Sequence, residues 1–277
     1  MLSVIWGLAF VAIRRADMEL SPVNLTLLRW LIASGGFLVL APFIGKPKVP
    51  IKREHIPRIL LVSFLSVAGY HLSLNYGETI VSAGLAGLLV SIEPIFVVLL
   101  SVLFLKERIG RVVIIGIAVA MAGVVILSLG ADISFLQIMG PLAVIFSAFA
   151  FASFAVGSKP LVQDYGALSV ATWAAVIGTV FLLPLLSWNF VTEIRSLSMT
   201  GWWSVLYLAV LSTVVGNIIL YNLVGAKTMS RLSIQLYLIP VVSLVGGILL
   251  LGEGITVLTI IGAALLLSAT GLVTSRH

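Results

Sequence analysis

The 277-residue chain is 61% hydrophobic and only 9% charged, against roughly 25% charged residues in an ordinary soluble domain, so a fold surrounded by water is excluded. A net charge of +6 comes without any stretch that interleaves basic and aromatic residues, and nucleic acid is not an expected partner. The absence of cysteine rules out disulfides, thiol catalysis and thiolate metal sites.

In chain order, the first apolar stretch covers residues 1–15. It has no basic region before it and is followed by Arg14 and Arg15, the wrong order for a cleaved signal peptide, so it is expected to be a short first transmembrane helix. Its uninterrupted apolar run ends at Ile13 and rises only about 20 Å. It reaches the far side only by continuing through Arg14 and Arg15, unless the natural start lies upstream. Breaks at charges and at Pro/Gly clusters then delimit 22–45, 57–79, 82–105, 110–130, 138–158, 168–190, 200–223, 228–251 and 255–275. Each is near the roughly 20 apolar residues that a spanning helix needs. The expected class is therefore an all-α polytopic membrane protein of ten transmembrane helices. The short loops leave no room for a soluble catalytic domain.

With the N-terminus in the cytoplasm, twelve basic residues fall inside: Lys46, Lys48, Lys52, Arg53, Arg58, Lys106, Arg108, Arg111, Lys159, Lys227, Arg231 and Arg276. Arg14, Arg15 and Arg195 fall outside, and Arg29 lies within the second span. This bias is the expected one for cytoplasmic loops. It predicts a multi-pass protein of the cytoplasmic membrane with both termini inside.

A shift of 146 residues superposes the halves 1–130 and 138–275. Pro94 meets Pro240, Glu107 meets Glu253, Gly116 meets Gly262, His71 meets Asn217 and Asn75 meets Tyr221. Five spans per half is an odd number, so the second copy enters from the opposite side. Inverted repeats are the build of many secondary transporters, which bind substrate near the midplane between the halves.

Ionisable groups deep in a span face a cavity or a partner, because a charge at the bilayer centre costs at least about 2.5–3.5 kcal/mol. Glu93 is essentially at the midplane of the fourth span, Arg29 is about two turns into the second and His71 is deep in the third. Glu93 is a candidate for binding a cationic substrate group or a coupling proton. It is equally a candidate for a structural pair with Arg29 or His71. Thr213, Asn217 and Tyr221 recur every fourth residue, as do His71 and Asn75, which puts each set on one helical stripe. These stripes are expected to line a cavity, with Gln235 and Tyr237 at the same depth and Trp6 as an aromatic wall. Pro94 and Pro240 are expected to kink their helices. Gly116, Ala120, Gly123, Gly262, Ala263 and Ala264 suit close packing or a homodimer contact. Glu107 and Glu253, at hairpin turns, suit helix-dipole compensation. No GxxxxGK[ST], HExxH or GxSxG occurs, so ATP hydrolysis, a metal, a cofactor and a hydrolase site are not expected.

The chain resembles the EamA family of the drug/metabolite transporter superfamily. The resemblance rests on Trp6-Gly7, on Arg29 within LLRWLIA, and on a proline-bearing fourth helix ending in LFLKERI before Gly116, an arrangement that recurs as Pro240, LLLGEGI and Gly262. It implies ten helices, cytoplasmic termini, a central cavity lined by spans 1, 3, 4, 6, 8 and 9, and export of amino acids or other small metabolites. Glu93 departs from it, since many relatives carry an uncharged residue there. Efflux of cationic drugs or quaternary amines is the alternative within transport. A non-transporting scaffold or an intramembrane enzyme is the alternative outside it.

Overall fold

The computed structural model describes residues 1–44, 51–105, 111–129, 135–226 and 238–274, which contain helices and turns and no strand. Gln235, Tyr237 and Glu107 lie outside the described residues. Helix α1 is Leu2–Ala16, α2 is Pro22–Ile44, and α3 is Arg53–Ile80. The fourth span is two helices, α4 (Ala83–Val90) and α5 (Glu93–Leu105). Then follow α6 (Arg111–Leu129), α7 (Phe135–Tyr165) and α8 (Ala167–Leu182). A short helix α9 (Phe190–Ser196) precedes α10, which runs over 199–226. The described chain ends with α11 (Ile239–Leu251) and α12 (Val257–Thr274).

Among the described residues six stretches are long and apolar enough to cross a membrane, and the apolar parts of α6, α11 and α12 are shorter. The surface is what a bilayer requires. Val39, Leu103, Phe104, Leu249 and Val257 are among many large apolar side chains turned outward, while Asn24, Arg29, Asn75, Glu78 and Glu93 are buried. So broad an apolar exterior would aggregate in water and is stable against acyl chains. Helix α1 does continue through Arg14 and Arg15, and Arg14 is spent inside the protein, donating to the Glu78 carbonyl.

The sequence expectations shift in three places. The seventh span stops at Leu182 and a tight turn at Leu183–Leu185, not at residue 190. Pro184 supplies no N–H to continue the helix, and α9 occupies part of the following connection. Around Pro94 the helix breaks instead of bending as one piece. Ser91 and Ile92 make tight turn bonds to Leu88 and Leu89, and Pro94 stands in the first turn of α5, where a missing N–H costs nothing. Pro240 likewise opens α11. Third, Glu253 does not serve α12, the helix that follows it. It accepts hydrogen bonds from the amides of Ala83 (2.7 Å) and Gly84 (3.0 Å), capping α4. Charge-assisted caps of this kind are worth about 0.5–2 kcal/mol. Glu253→Ala is expected to lower the thermal midpoint in detergent, with Glu253→Asp, whose shorter arm reaches less well, in between.

Packing couples the two halves. Helix α1 lies on α10 and α11, and α7 lies on α3 and α5; α2 packs on α8, α4 on α11, and α6 on α12. The small residues expected to permit close approach do so between α6 and α12, where Gly123 faces the Gly262 carbonyl and Leu266.

Both α3 and α10 contain a π-helical stretch, Leu65–Leu72 and Tyr207–Val215. Such turns are uncommon and occur frequently at functional sites. Their wider winding shows in side-chain bonds that reach back five residues. His71 Nδ1 lies 3.0 Å from the Ser66 carbonyl, and the Thr213 hydroxyl donates to the Leu208 carbonyl at 2.8 Å.

Candidate functional site

The two π-helical stretches flank a central cavity with about 710 Å³ of empty space, its open mouth included. Helix α1 brings Trp6, Phe10 and Ile13; α2 brings Arg29 and Trp30; α3 brings Ser66, Tyr70, His71 and Leu74. Glu93 enters from the first turn of α5, Phe151 and Phe154 from α7, and Ser212, Asn217 and Tyr221 from α10. Most of the wall is aromatic or aliphatic, with few polar groups, as small-molecule sites usually are.

Of the residues singled out in the sequence, Trp6, Arg29, His71, Glu93, Asn217 and Tyr221 line this cavity. Asn75 and Thr213 do not. Asn75 is fully buried and donates to the Thr26 hydroxyl at 2.8 Å. Thr213 accepts from Arg29 Nε at 2.8 Å. Both are taken up by α2, Asn75 through Thr26 and Thr213 through Arg29, while Asn217 and Tyr221 of the same stripe reach the cavity.

Arg29 does not pair with Glu93. Its guanidinium donates to Thr213 Oγ1 (2.8 Å) and to Ser212 Oγ (3.2 Å), tying α2 to α10. Its Nη1 makes no hydrogen bond among the described residues, and its side chain lines the cavity. His71 is held instead by rings and backbone. It meets Trp30 and Tyr70 edge-on at centroid distances of 5.0 and 4.7 Å. Glu93 is 3% exposed, and its Oε1 has no hydrogen-bond partner among the described residues. Trp6 donates from its indole to the Ser212 carbonyl at 3.0 Å and stands edge-on to Phe151, 6.1 Å away. Tyr70 packs on Phe151 at 5.7 Å and lies within electrostatic reach of both Glu93 and Arg29.

Sequence reasoning missed Tyr70, Phe151 and Ser212. Nothing separated Phe151 from the other phenylalanines of an apolar span. Tyr70, next to His71, offered a signal in its hydroxyl.

A family model described as the EamA-like transporter family matches residues 1–129 and again 138–275. The chain belongs to that family. As an EamA-like transporter it is a multi-pass membrane protein and not an enzyme. An uncharacterized transporter of Archaeoglobus fulgidus is 36% identical over 95% of this chain and 92% of its own. A protein of Streptantibioticus cattleyicolor named a probable terminal-alkyne amino-acid exporter is 32% identical over 99% and 91%. One of Escherichia coli named a probable amino-acid metabolite efflux pump is 31% identical over 96% and 89%. A crystal structure aligns over 99% of this EamA-like chain and 95% of its own with a TM-score of 0.67 and 16% identity, which speaks for the fold alone.

Proposed function

We propose that the protein is a secondary exporter of amino acids or similar small zwitterionic metabolites, working by alternating access through the central cavity. The observation that carries this reading is a pair of mutually unbonded ionisable side chains, one basic and one acidic, on one aromatic wall. Arg29 offers a guanidinium nitrogen to a carboxylate, and Glu93 offers an unpartnered oxygen to an ammonium. Tyr70 lies near both. An amino acid has both groups, and the rings of Trp6, Phe10 and Phe151 suit its apolar part. The names of two relatives, an amino-acid exporter and an amino-acid metabolite efflux pump, agree with this choice.

The transport cycle draws on the repeat. Ten spans in two inverted halves, 1–130 and 138–275, put the cavity at their interface, and rocking one half against the other exposes it to each side in turn. The packing supports that arrangement, because the contact of α1 with α11 has its counterpart in α7 with α5, and that of α3 with α7 in α10 with α1. Both termini then lie in the cytoplasm and the protein resides in the cytoplasmic membrane. A proton gradient is the proposed driving force, and a homodimer through an exposed helix face is compatible with transport.

Efflux of quaternary amines is the second reading. The unpartnered Glu93 and the rings around it favour it, since cations are attracted to aromatic faces. Arg29 in the same wall opposes it. Counterflow in proteoliposomes decides between the two. Zwitterionic amino acids are expected to exchange, and their N-acetylated forms and tetraalkylammonium ions to fail. Glu93→Gln is expected to slow amino-acid exchange at least tenfold. Exchange of tetraalkylammonium without any of amino acids would leave only the second reading, and no counterflow or ligand-induced thermal shift with either class would favour a scaffold.

A further inference from the structure

A second set of ionisable groups lies just beyond the cavity, where α1 and α3 end. Ile13 and Leu74 belong to the cavity wall. On α1 the next residue is Arg14, and Asp17 follows one turn past Ile13; on α3, Glu78 follows one turn past Leu74. Glu78 is completely enclosed, and neither of its carboxyl oxygens has a hydrogen-bond partner among the described residues. Both oxygens of Asp17 are also buried and unpartnered, and burial pushes its carboxyl up to about 8 against the pull of Arg14. The charged groups that act on Glu78 are Asp17 and Arg14 of α1, Arg29 of α2, and Glu253 of the α11–α12 hairpin. From α7, Gly140 and Val144 lie against Gly77 next to Glu78, and neither carries a charge. Arg14 donates to the Glu78 backbone carbonyl and leaves the carboxyl alone.

A carboxylate in such a place, without a partner and beside other acids, costs far more than a carboxylic acid. The closed packing of α1, α3 and α4 over Ile13 and Leu74 therefore requires a proton at Glu78. We propose that Glu78 is a proton-binding latch for this end of the cavity, so that the gate closes when the carboxyl takes a proton from the adjacent water and opens when it gives the proton back. No other bond forms or breaks. Ionised Glu78 needs water, and water reaches it only if the end of α1 moves away from the ends of α3 and α4. The inference rests on transport through the cavity, and it places the coupling proton at the gate while leaving Glu93 to the substrate.

The natural absence of cysteine permits a direct test. Leu74→Cys puts one thiol on the cavity wall beneath the latch, at a side chain only 2% exposed. Met199→Cys, at an exposed residue on the same side, serves as reference for the intrinsic pH dependence of the thiol. The shared side follows from the bonds of Glu19 to Ser198 and of Glu193 to Ser21. A membrane-impermeant maleimide is added from each side of the membrane in separate arms, with no substrate present. Normalised labelling of Leu74→Cys from the Met199 side is expected to rise with pH, by up to about tenfold per unit, the limit for release of one proton. Adding Glu78→Gln should hold it low and flat, and so should Glu78→Leu, which suits an apolar enclosure if the amide does not fold. Labelling that ignores pH in the Leu74→Cys protein overturns the latch, as does a pH dependence that survives in either folded Glu78 variant. Should amino-acid counterflow fail while labelling stays gated by pH, the substrate reading falls and the latch stands.

Discussion

Replacing Arg29 by methionine is expected to reduce amino-acid counterflow by about 25-fold or more. The guanidinium has two tasks, fastening α2 to α10 through Ser212 and Thr213 and, on the proposed reading, holding the substrate carboxylate. Truncating one partner of a buried hydrogen-bonded charge pair costs about 2–5 kcal/mol, and every 1.4 kcal/mol is about tenfold. Arg29→Lys is the informative companion. It keeps the charge but loses the fork that reaches two hydroxyls at once, so partial transport with a lowered thermal midpoint is expected. The check is the exchange rate per folded molecule. A methionine variant that loses stability but keeps its full rate would confine Arg29 to a structural role.

Gly178→Ala is expected to be the most damaging single methyl. A Cβ at Gly178 would stand 2.2 Å from Val67 Cγ2 and 2.7 Å from the Ser63 carbonyl oxygen. Backbone cannot step aside as a side chain does, so α8 must move off α3 beside its π-helical stretch. Overpacking of this kind costs typically about 1–3 kcal/mol, which should appear as a drop of several degrees in the thermal midpoint. Gly35→Ala is the control. The added methyl there meets nothing within 4 Å, and alanine is a better helix former than glycine by up to about 1 kcal/mol. That variant should be unchanged or more stable.

Much of the architecture was legible in the sequence because lipid imposes simple rules on it. Hydrophobic length gave the helices, and the ionisable residues farthest from any loop, Arg29, His71 and Glu93, all line the cavity. What escaped was local winding. No proline or glycine cluster marks Tyr207–Val215 as a π-helical stretch, and nothing in the stripe of Thr213, Asn217 and Tyr221 showed that Thr213 would be taken by Arg29 while the other two reach the cavity. Partner choice escaped as well. Glu253 was legible as a helix cap, yet which helix it caps depends on α4 and α11 meeting in space. Glu78 was open to notice, lying inside the predicted third span, and its closeness to the span's end hid how completely it is enclosed.

The π-helical stretches also bear on how such a chain diversifies. A π turn accommodates one more residue than the α turn it replaces, and each residue of an α-helix turns about 100°. Deleting a single residue within Leu65–Leu72 would therefore let the stretch rewind as an α-helix while the parts of α3 on either side keep their orientation. Only residues of the stretch, Tyr70 and His71 among them, would change the face they present. One-codon deletions and insertions at the two π-helical stretches would give a lineage a way to exchange whole sets of lining residues while the loops, caps and interhelical packing stay as they were.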